Sequence, residues 1–283
     1  MPRHASRPSG APVLKLPAVL YYSGIALLVL VMVLPFLWMV ATSLMDELAV
    51  FAYPPPLVPR PAKLRNYLDA WRALPFGRFY FNSLVFSLAV VVGQVTTSAL
   101  AAYAFARLRF PGRDRIFALF LGVLMVPAIL LLIPRFLIIN ALGWVDTWPG
   151  LVSTELVSVW GIFLLRQFFL SIPQELEDAA RLDGANDWTI FWRVVLPLSR
   201  PALATLALFA FVDAWKNFQW PLIATRSMGM RTVEVGIASF HSFYYSNWPY
   251  QMAAAVTAIA PVLLIFFLAQ RYFVRGIQLT GLK

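Results

Sequence analysis

The chain has 283 residues, of which 60% are hydrophobic and 13% charged, with a formal net charge of +10 and a mean hydropathy of +0.73. Such values exclude an ordinary soluble domain and indicate a polytopic membrane protein, in which the placement of basic residues matters more than their sum and no nucleic-acid partner is expected. The absence of cysteine and the presence of only two histidines exclude disulfides, a cysteine nucleophile and a metal centre built from thiolates or several histidines.

Six apolar stretches approach or exceed the length of about 20 residues that a helix needs to cross the hydrocarbon core. They are Ala18–Leu44, Phe81–Ala106, Ile116–Ile139, Trp148–Leu165, Pro201–Thr225 and Met252–Phe273. The sequence therefore predicts an all-α, polytopic membrane protein with six transmembrane helices. Pro127 and Pro134 predict kinks in the third span, where neighbouring helices can satisfy the freed carbonyl groups.

The N-terminus has the basic start of a signal peptide but not its length. Residues 1–17 are basic and polar, and the uncharged stretch Ala18–Leu44 that follows has 27 residues. A stretch of that length is too long for the apolar core of a signal peptide. We therefore expect a retained first helix at 18–44, with 1–17 as a tail.

The distribution of basic residues predicts the orientation, since loops rich in Lys and Arg stay in the cytoplasm. The segment 107–115 carries four arginines, whereas 141–149 carries no Lys or Arg. Both termini are therefore expected in the cytoplasm, with 275–283 as the C-terminal tail and 81–274 as a core of five further helices. The extracytoplasmic segment 45–80 contains several basic residues and is the exception to the rule.

The two long extracytoplasmic segments have distinct compositions. Segment 45–80 contains the proline-rich stretch FAYPPPLVPRPAK, followed by LRNYLDAW, an amphipathic stretch that predicts a short helix. Segment 226–251 is rich in aromatic residues. Two interpretations stay open, namely a belt of Trp and Tyr side chains at the membrane interface, or a docking surface for an extracytoplasmic partner.

The segment 171–201, SIPQELEDAARLDGANDWTIFWRVVLPLSRP, is a polar island between two apolar stretches, and the orientation places it in the cytoplasm. Ser171 and Gln174 fit a helix-capping box, Gly184 suits the left-handed position that ends a helix, and Asn186 can cap a second helix. The island is therefore predicted to form two short helices joined by a turn.

The first of these helices has a narrow apolar stripe formed by Leu176, Ala179 and Ala180. A face of small side chains can dock in a cleft of another protein. The alternative is an amphipathic connector that lies on lipid headgroups. That alternative fits less well, because a helix that binds anionic lipid has a basic polar face, whereas this helix is acidic.

Residues 176–203, LEDAARLDGANDWTIFWRVVLPLSRPAL, resemble the EAA motif of importer-type ABC transporter permeases, in particular the smaller six-span subunit of maltose-type carbohydrate systems. The resemblance extends from about Asn66 to the C-terminus and includes NSLVFSLAVVVGQVTTSALAAYAFARLRFPGRD and the ending RYFVRGIQLTGLK. It implies an importer-type ABC permease fold in the inner membrane of a prokaryote.

The resemblance further implies that 171–201 is a coupling loop whose helix enters a groove on a separate ATPase subunit. The residues of that contact would be Glu177, Asp178, Ala179, Ala180, Asp183 and Gly184. Asp178 stands where the family usually has the glutamate of the motif, with a side chain shorter by one methylene. The neighbouring Glu177 is the alternative carboxylate for the same contact.

The same resemblance implies the activity and the partners. The chain would form a heterodimer with a second, homologous permease and translocate a sugar or sugar-like solute delivered by an extracytoplasmic solute-binding protein. A dimer of ATPase subunits would use ATP and Mg, while this chain would bind no cofactor or metal and have no catalytic residue. Disaccharides, oligosaccharides and glycerol phosphate compounds are all handled by relatives with this pattern.

The fifth span contains ionisable residues, which are costly inside a membrane and are candidates for function. The candidates for the solute path are Asp213, Trp215, Lys216, Asn217, Gln219 and Trp220. In one interpretation the polar groups hydrogen-bond to sugar hydroxyls and the tryptophans stack against a sugar ring. In the other, Asp213 and Lys216 pair with each other, or with the partner permease, and lock the helix bundle.

Two other classes of protein compete with a permease subunit. A secondary carrier or channel without an ATPase would have internal repeats and helices broken at the midplane, and it leaves the acidic island unexplained. A membrane enzyme would need a cluster of His, Asp or Glu at one membrane face, and the carboxylates of the island have no paired base. The chain contains no GxxxxGK[ST] loop, so ATP hydrolysis must reside in another protein.

Overall fold

The computed structural model describes residues 18–54, 56–241 and 247–280, with the backbone alone at 18, 19, 269 and 271–280. Within these ranges the regular elements are helical, which confirms the all-α fold. The α-helices are α1 Ala18–Ser43, α2 Arg65–Ala73, α3 Phe76–Arg107, α4 Arg113–Val123, α5 Leu132–Ala141, α6 Trp148–Val152, α7 Val159–Ser171, α8 Glu175–Leu182, α9 Asp187–Ile190, α10 Leu196–Leu198, α11 Arg200–Trp215, α12 Gln219–Ala224, α13 Val233–Ala238 and α14 Trp248–Thr280. The predicted tail 1–17 and the last three residues of the predicted tail 275–283 lie outside the described residues.

In the described part of the chain, three helices are long and apolar enough to cross a membrane alone, within α1, α3 and α14. Three further pairs of helices qualify together but are bent by 94°, 42° and 77°. Counting each bent pair as one span gives up to six, which is the predicted number. The 77° pair, however, joins Asp187–Leu198, which was predicted to belong to the cytoplasmic loop, to α11. Helix α14 continues to Thr280, so the predicted boundary between the sixth span and the C-terminal tail falls inside a continuous helix.

Pro127 marks the 94° bend in the third predicted span. α4 ends at Val123, and Pro127 is extended, with φ −58° and ψ 127°, before the chain turns towards α5. Pro134 does not produce the predicted second kink. It lies in the first turn of α5, where the missing N–H leaves no intrahelical hydrogen bond unmade.

Side chains of α3 stabilise the 42° bend in the fourth predicted span. The bend lies between α6 and α7, and the carbonyl groups that it frees need partners other than those of a continuous helix. Gln94 Nε2 donates to the carbonyl of Glu155 at 2.9 Å, and Thr97 Oγ1 donates to the carbonyl of Leu156 at 2.9 Å. The two carbonyl groups at this break therefore accept hydrogen bonds from side chains within the bundle.

The fifth predicted span, Pro201–Thr225, is two helices rather than one. α11 ends at Trp215 and α12 begins at Gln219. Oδ1 of Asn217 accepts a hydrogen bond from the backbone N–H of Trp220 at 3.2 Å. The chain therefore breaks at the group of polar residues that the sequence singled out.

The predicted amphipathic helix of segment 45–80 is present as α2. Its Asn66 Nδ2 donates to the carbonyls of Ser43 and Met45 at 2.9 and 2.8 Å, which fixes α2 to the end of α1. Phe76 and Phe240 stack with ring centroids 5.5 Å apart, and both are buried. These two rings therefore pack the interior at this end of the bundle instead of forming an exposed belt.

Candidate coupling surface

The first helix of the polar island is α8, and its start differs from the prediction. Ser171 is the last residue of α7, where its Oγ donates to the carbonyl of Phe168 at 2.7 Å. Gln174 makes no side-chain capping bond at the start of α8. The predicted capping box is therefore wrong, because Ser171 is still helical and belongs to the preceding helix.

The turn that follows α8 has the predicted geometry. Gly184 has φ +84°, in the left-handed region. The N–H of Ala185 donates to the carbonyl of Ala180 at 2.9 Å, and the N–H of Gly184 donates to that of Arg181 at 3.0 Å, as in a Schellman turn. Oδ1 of Asn186 then accepts from the N–H of Thr189 at 2.8 Å and caps α9.

The hairpin formed by α8 and α9 rests on a hydrophobic cluster at one end of α3 and α7. The buried members of this cluster include Ala102, Tyr103, Leu165, Phe169, Ile190 and Phe191, and Ala180 and Ala185 of the hairpin pack against it. Tyr103 also donates from its hydroxyl to the carbonyl of Asp187 at 3.2 Å. The hairpin is therefore packed onto the membrane helices over its inner face.

A buried ion pair joins the same hairpin to α3. Nε of Arg107, the last residue of α3, lies 2.7 Å from Oε1 of Glu177, and the two side chains are only 7% and 2% exposed. The Arg107 Nη2 group also donates to the carbonyls of Phe169 and Ile172 at 2.8 and 2.6 Å. One guanidinium thus connects the ends of α3 and α7 with α8, and we call this arrangement the arginine clamp.

The electrostatics of the arginine clamp explain why Glu177 and Arg107 must be present together. Burial raises the pKa of Glu177 above its ordinary value, and the positive charge of Arg107 acts in the opposite direction. A buried carboxylate without its partner is strongly destabilising, since its hydration is lost and nothing replaces it. Arg107 is therefore a structural partner that composition and motif spacing did not single out. Its position opposite an acidic segment, at the end of an apolar span, was the available signal.

The structure divides the six predicted coupling residues between two faces of the hairpin. Asp178, Ala179, Asp183 and Gly184 are exposed, Ala180 is half-buried, and Glu177 is buried in the clamp. Glu177 is therefore turned away from the exposed face and does not offer the alternative contact that the sequence suggested. Its carboxylate is already engaged by Arg107.

Two leucines complete the exposed face of α8. Leu176 is 46% exposed, and Leu182, which the sequence analysis did not select, is 91% exposed. Beside the turn lies a concavity of about 390 Å³ whose lining includes Asp183, Thr189 and Arg193. An exposed leucine next to a concave surface, on a hairpin whose Leu176 and Trp188 are also exposed, has the character of a protein contact.

The structure separates the candidates for the solute path in a similar way. Asp213, Lys216 and Gln219 are exposed and Asn217 is half-buried. Within the described ranges, neither Asp213 nor Lys216 takes part in an ion pair. The alternative in which these two charges lock the bundle by pairing with each other is therefore not what this chain shows.

The two tryptophans do not stack outwards, and this part of the prediction is wrong. Trp215 is buried, stacks with Phe211 at 5.7 Å between ring centroids, and donates from Nε1 to the carbonyl of Ala258 at 3.0 Å. Trp220 is buried and donates from Nε1 to the carbonyl of Leu151 at 3.0 Å. Both rings are used to hold α11 and α12 to their neighbours.

Comparison with known proteins identifies the family to which this architecture belongs. Residues 94–279 match the family described as "Binding-protein-dependent transport system inner membrane component". The chain belongs to this family. It is 38% identical over 246 residues to the sn-glycerol-3-phosphate transport system permease protein of Yersinia enterocolitica, an alignment that covers 84% of this chain and 87% of the relative.

A second relative and a solved structure agree with this assignment. The arabinooligosaccharides transport system permease protein of Bacillus subtilis is 36% identical over 206 residues, covering 73% of each chain. A chain in the crystal structure of a bacterial ABC transporter involved in the import of the acidic polysaccharide alginate superposes with a TM-score of 0.81 at 24% identity, over 94% of this chain and 100% of that one. That likeness establishes the fold.

Membership of this family decides between the classes that the sequence left in competition. The protein is an inner-membrane permease subunit of an ABC importer, and ATP hydrolysis belongs to a separate partner protein. The broken spans alone would also have suited a secondary carrier. No group of three or more His, Cys, Asp or Glu able to hold a metal ion occurs among the described residues.

The clamp generates a prediction about stability. Replacing Arg107 with Met should lower the free energy of unfolding of the permease by about 3–5 kcal/mol, because Glu177 is left buried without a counter-charge. The double variant Arg107→Met/Glu177→Met should recover part of this loss, though not all, since the carbonyls of Phe169 and Ile172 lose their donor. Denaturant unfolding of the full chain in detergent micelles, followed by tryptophan fluorescence, measures the effect.

An exposed ion pair on the same hairpin provides the control. Arg181 Nη2 lies 2.6 Å from Oδ1 of Asp187, with side chains 48% and 47% exposed, and such surface pairs contribute little. Arg181→Met should leave stability nearly unchanged. Equal losses in Arg107→Met and Arg181→Met would contradict the role given to burial.

Proposed function

We propose that this permease couples ATP hydrolysis to transport through the exposed face of the α8–α9 hairpin. In this proposal 171–201 is the cytoplasmic coupling loop, both termini are cytoplasmic, and 45–80 is extracytoplasmic. The basic segment 107–115 supports that orientation. The ATPase contacts are assigned to Asp178, Ala179, Ala180, Asp183 and Gly184, with Leu176 and Leu182 added from the structure.

The observation that carries this proposal is an exposed apolar face on a hairpin that is itself anchored. Leu182 is almost wholly exposed, while the opposite side of α8 is clamped to Arg107 and packed on the cluster below. An apolar side chain that is held out towards water by a rigid support is suited to insertion in a groove of a partner. The small Ala179 allows close approach of the backbone at the same face.

The clamp also supports a mechanism in which the hairpin works as a lever. Movement of α8 is transmitted to α3 through the ion pair and to α7 through the two carbonyls that Arg107 binds. Closure of an ATPase dimer would then rock these helices as a body between inward-facing and outward-facing states. In this mechanism Glu177 anchors the hairpin to α3 and does not contact the ATPase.

The proposed partners follow from the same assignment. They are a second, homologous permease in a heterodimer, an ATPase dimer that uses ATP and Mg, and an extracytoplasmic solute-binding protein. The family's association with binding-protein-dependent transport supports the last of these. The alginate transporter was also solved with its periplasmic protein carrying an alginate pentasaccharide, which illustrates the same kind of assembly in that system.

The proposed solute is a sugar or a sugar-like compound, and the exposed residues at the α11–α12 break are proposed to line its path. Asp213, Lys216 and Gln219 reach the surface of the chain there, with Asn217 beside them. The two relatives carry, by their names, glycerol 3-phosphate and arabinooligosaccharides. An anionic and a neutral solute are therefore both represented among proteins similar to this one.

Removal of Leu182 tests the coupling proposal. Leu182→Ser should leave the stability of the permease unchanged, because the side chain is 91% exposed, and should reduce the amount of ATPase that co-purifies by about tenfold, as expected when an interface anchor is truncated. Leu48→Ser is the matched control, since Leu48 is 84% exposed but lies in segment 45–80. Undiminished co-purification with Leu182→Ser would contradict the proposed contact.

A charge substitution at Lys216 tests the solute path. If Lys216 lies on the path, Lys216→Gln should lower uptake of an anionic solute by about tenfold or more and lower uptake of a neutral oligosaccharide much less. Transport in proteoliposomes that contain the complete importer, measured with radiolabelled glycerol 3-phosphate and with an arabinooligosaccharide, provides the comparison. Arg226→Gln is the control, at an exposed cation that follows α12. If Lys216→Gln and Arg226→Gln transport both solutes as wild type does, Lys216 does not line the path.

A further inference from the structure

The turn between α3 and α4 forms a basic concavity to which no role has been assigned. It has a volume of about 680 Å³ and is lined by Arg109, Phe110, Gly112, Arg113, Asp114 and Arg115. Three arginines and one aspartate give this lining an excess of positive charge. The clamp does not use these arginines, and the coupling face of α8 does not include them.

Two of the arginines are available for a ligand. Within the described residues, Arg109 and Arg115 form no hydrogen bond and no ion pair, and both are exposed. Arg113 is partly engaged, since its Nε lies 3.1 Å from Oδ1 of Asp114. The carboxylate of Asp114 is thus offset locally, and two unpaired guanidinium groups face the same concavity.

The backbone adds to the attraction for an anion. Gly112, with φ +79°, precedes the 11-residue helix α4, and no side chain caps that helix end. The first N–H groups of a helix lack intrahelical partners and carry the positive end of the helix dipole. An oxyanion in this concavity would therefore meet backbone donors as well as the arginine side chains.

The position of the concavity relative to the membrane indicates the source of the anion. α3 has 32 residues, which at 1.5 Å per residue exceeds the hydrocarbon thickness of about 30 Å. α3 is therefore longer than the hydrocarbon core, and the four arginines of 107–115 indicate that its end at Arg107 lies at the headgroup level. One turn further along α4, Ile116, Leu119 and Val123 are exposed on the outside of the helix, as expected of side chains that face lipid tails.

We propose that this concavity, which we call the arginine pocket, binds the phosphate headgroup of an anionic phospholipid. The acyl chains would run along the exposed face of α4 that carries Ile116 and Leu119. Phe110, which is also exposed, would lie at the interface between headgroups and tails. Basic pockets between transmembrane helices at the cytoplasmic surface are suited to such headgroups. This inference uses the proposed orientation of the chain only to assign the phospholipid to the cytoplasmic leaflet.

The test uses the purified full chain in nanodiscs of phosphatidylcholine with a minor fraction of phosphatidylglycerol. Native mass spectrometry counts the phosphatidylglycerol molecules that remain on the released protein. The double variant Arg109→Gln/Arg115→Gln should retain at least about tenfold less phosphatidylglycerol than wild type, because two of the positive charges that attract the headgroup are removed. Arg60→Gln/Arg72→Gln removes two exposed arginines from segment 45–80 and should retain the lipid as wild type does.

Two further measurements distinguish a phospholipid from a free anion and from the ATPase as the occupant of the arginine pocket. Inorganic phosphate at millimolar concentration should leave the bound phosphatidylglycerol in place, and its displacement by phosphate would identify a free-anion site and overturn the lipid assignment. Unchanged retention in Arg109→Gln/Arg115→Gln together with lost ATPase co-purification would assign the pocket to the ATPase instead. Because lipid retention is measured without the ATPase, a failure of the Leu182 contact and a failure of this pocket give different results.

Discussion

The buried contact between Arg107 and Glu177 is the constraint on which the rest of the coupling region depends. A carboxylate that is 2% exposed has lost most of its hydration, and it is tolerated because a guanidinium lies against it. The same guanidinium binds two carbonyls at the end of α7. One side chain therefore determines how the ends of two membrane helices and the hairpin sit together, and it leaves the leucines of α8 directed outwards.

In the membrane part of the chain, as in the clamp, polar groups that are removed from water need partners within the protein. Three of the six spans are bent pairs, and each bend exposes backbone groups that need partners. Gln94 and Thr97 of α3 supply them at the bend of the fourth span, and Asn217 supplies an acceptor at a separate break, between α11 and α12. These three polar residues thus stabilise breaks in the helices, and the polar residues left exposed at the α11–α12 break are the ones available to a solute.

Much of this architecture could be predicted from the sequence because it depends on local signals. Apolar length predicted six spans, and Gly184 and Asn186 predicted the turn between α8 and α9, since left-handed backbone and helix capping are properties of single residues. Features that depend on tertiary packing were not accessible. Glu177 and Asp178 are adjacent carboxylates, and the packing of α8 on the cluster below it, together with the position of Arg107, decides which one is buried. For the same reason Trp215, which looked suited to a sugar ring, is a packing residue.

The residues that couple the permease to ATP are separate from those proposed to determine which solute it carries. The hairpin, the clamp and the family assignment concern the coupling to ATP, and they would be the same for an anionic or a neutral solute. A few exposed residues beside the α11–α12 break are proposed to determine which solute is carried. The arginine pocket concerns a third partner, the lipid, and lies next to α3 without sharing the residues of the clamp.

The central claim, that α8 moves with α3 as one body, is tested most directly by a distance measured between these two helices. The chain has no cysteine, so spin labels can be attached at Glu175→Cys and at Val92→Cys, two exposed positions on α8 and α3 that lie outside the proposed ATPase contact. Pulsed electron paramagnetic resonance on the complete importer should give the same distance distribution without nucleotide and with ATP bound, and a broader one in the Arg107→Met background. A distance that changes with ATP in the wild-type clamp would contradict the lever.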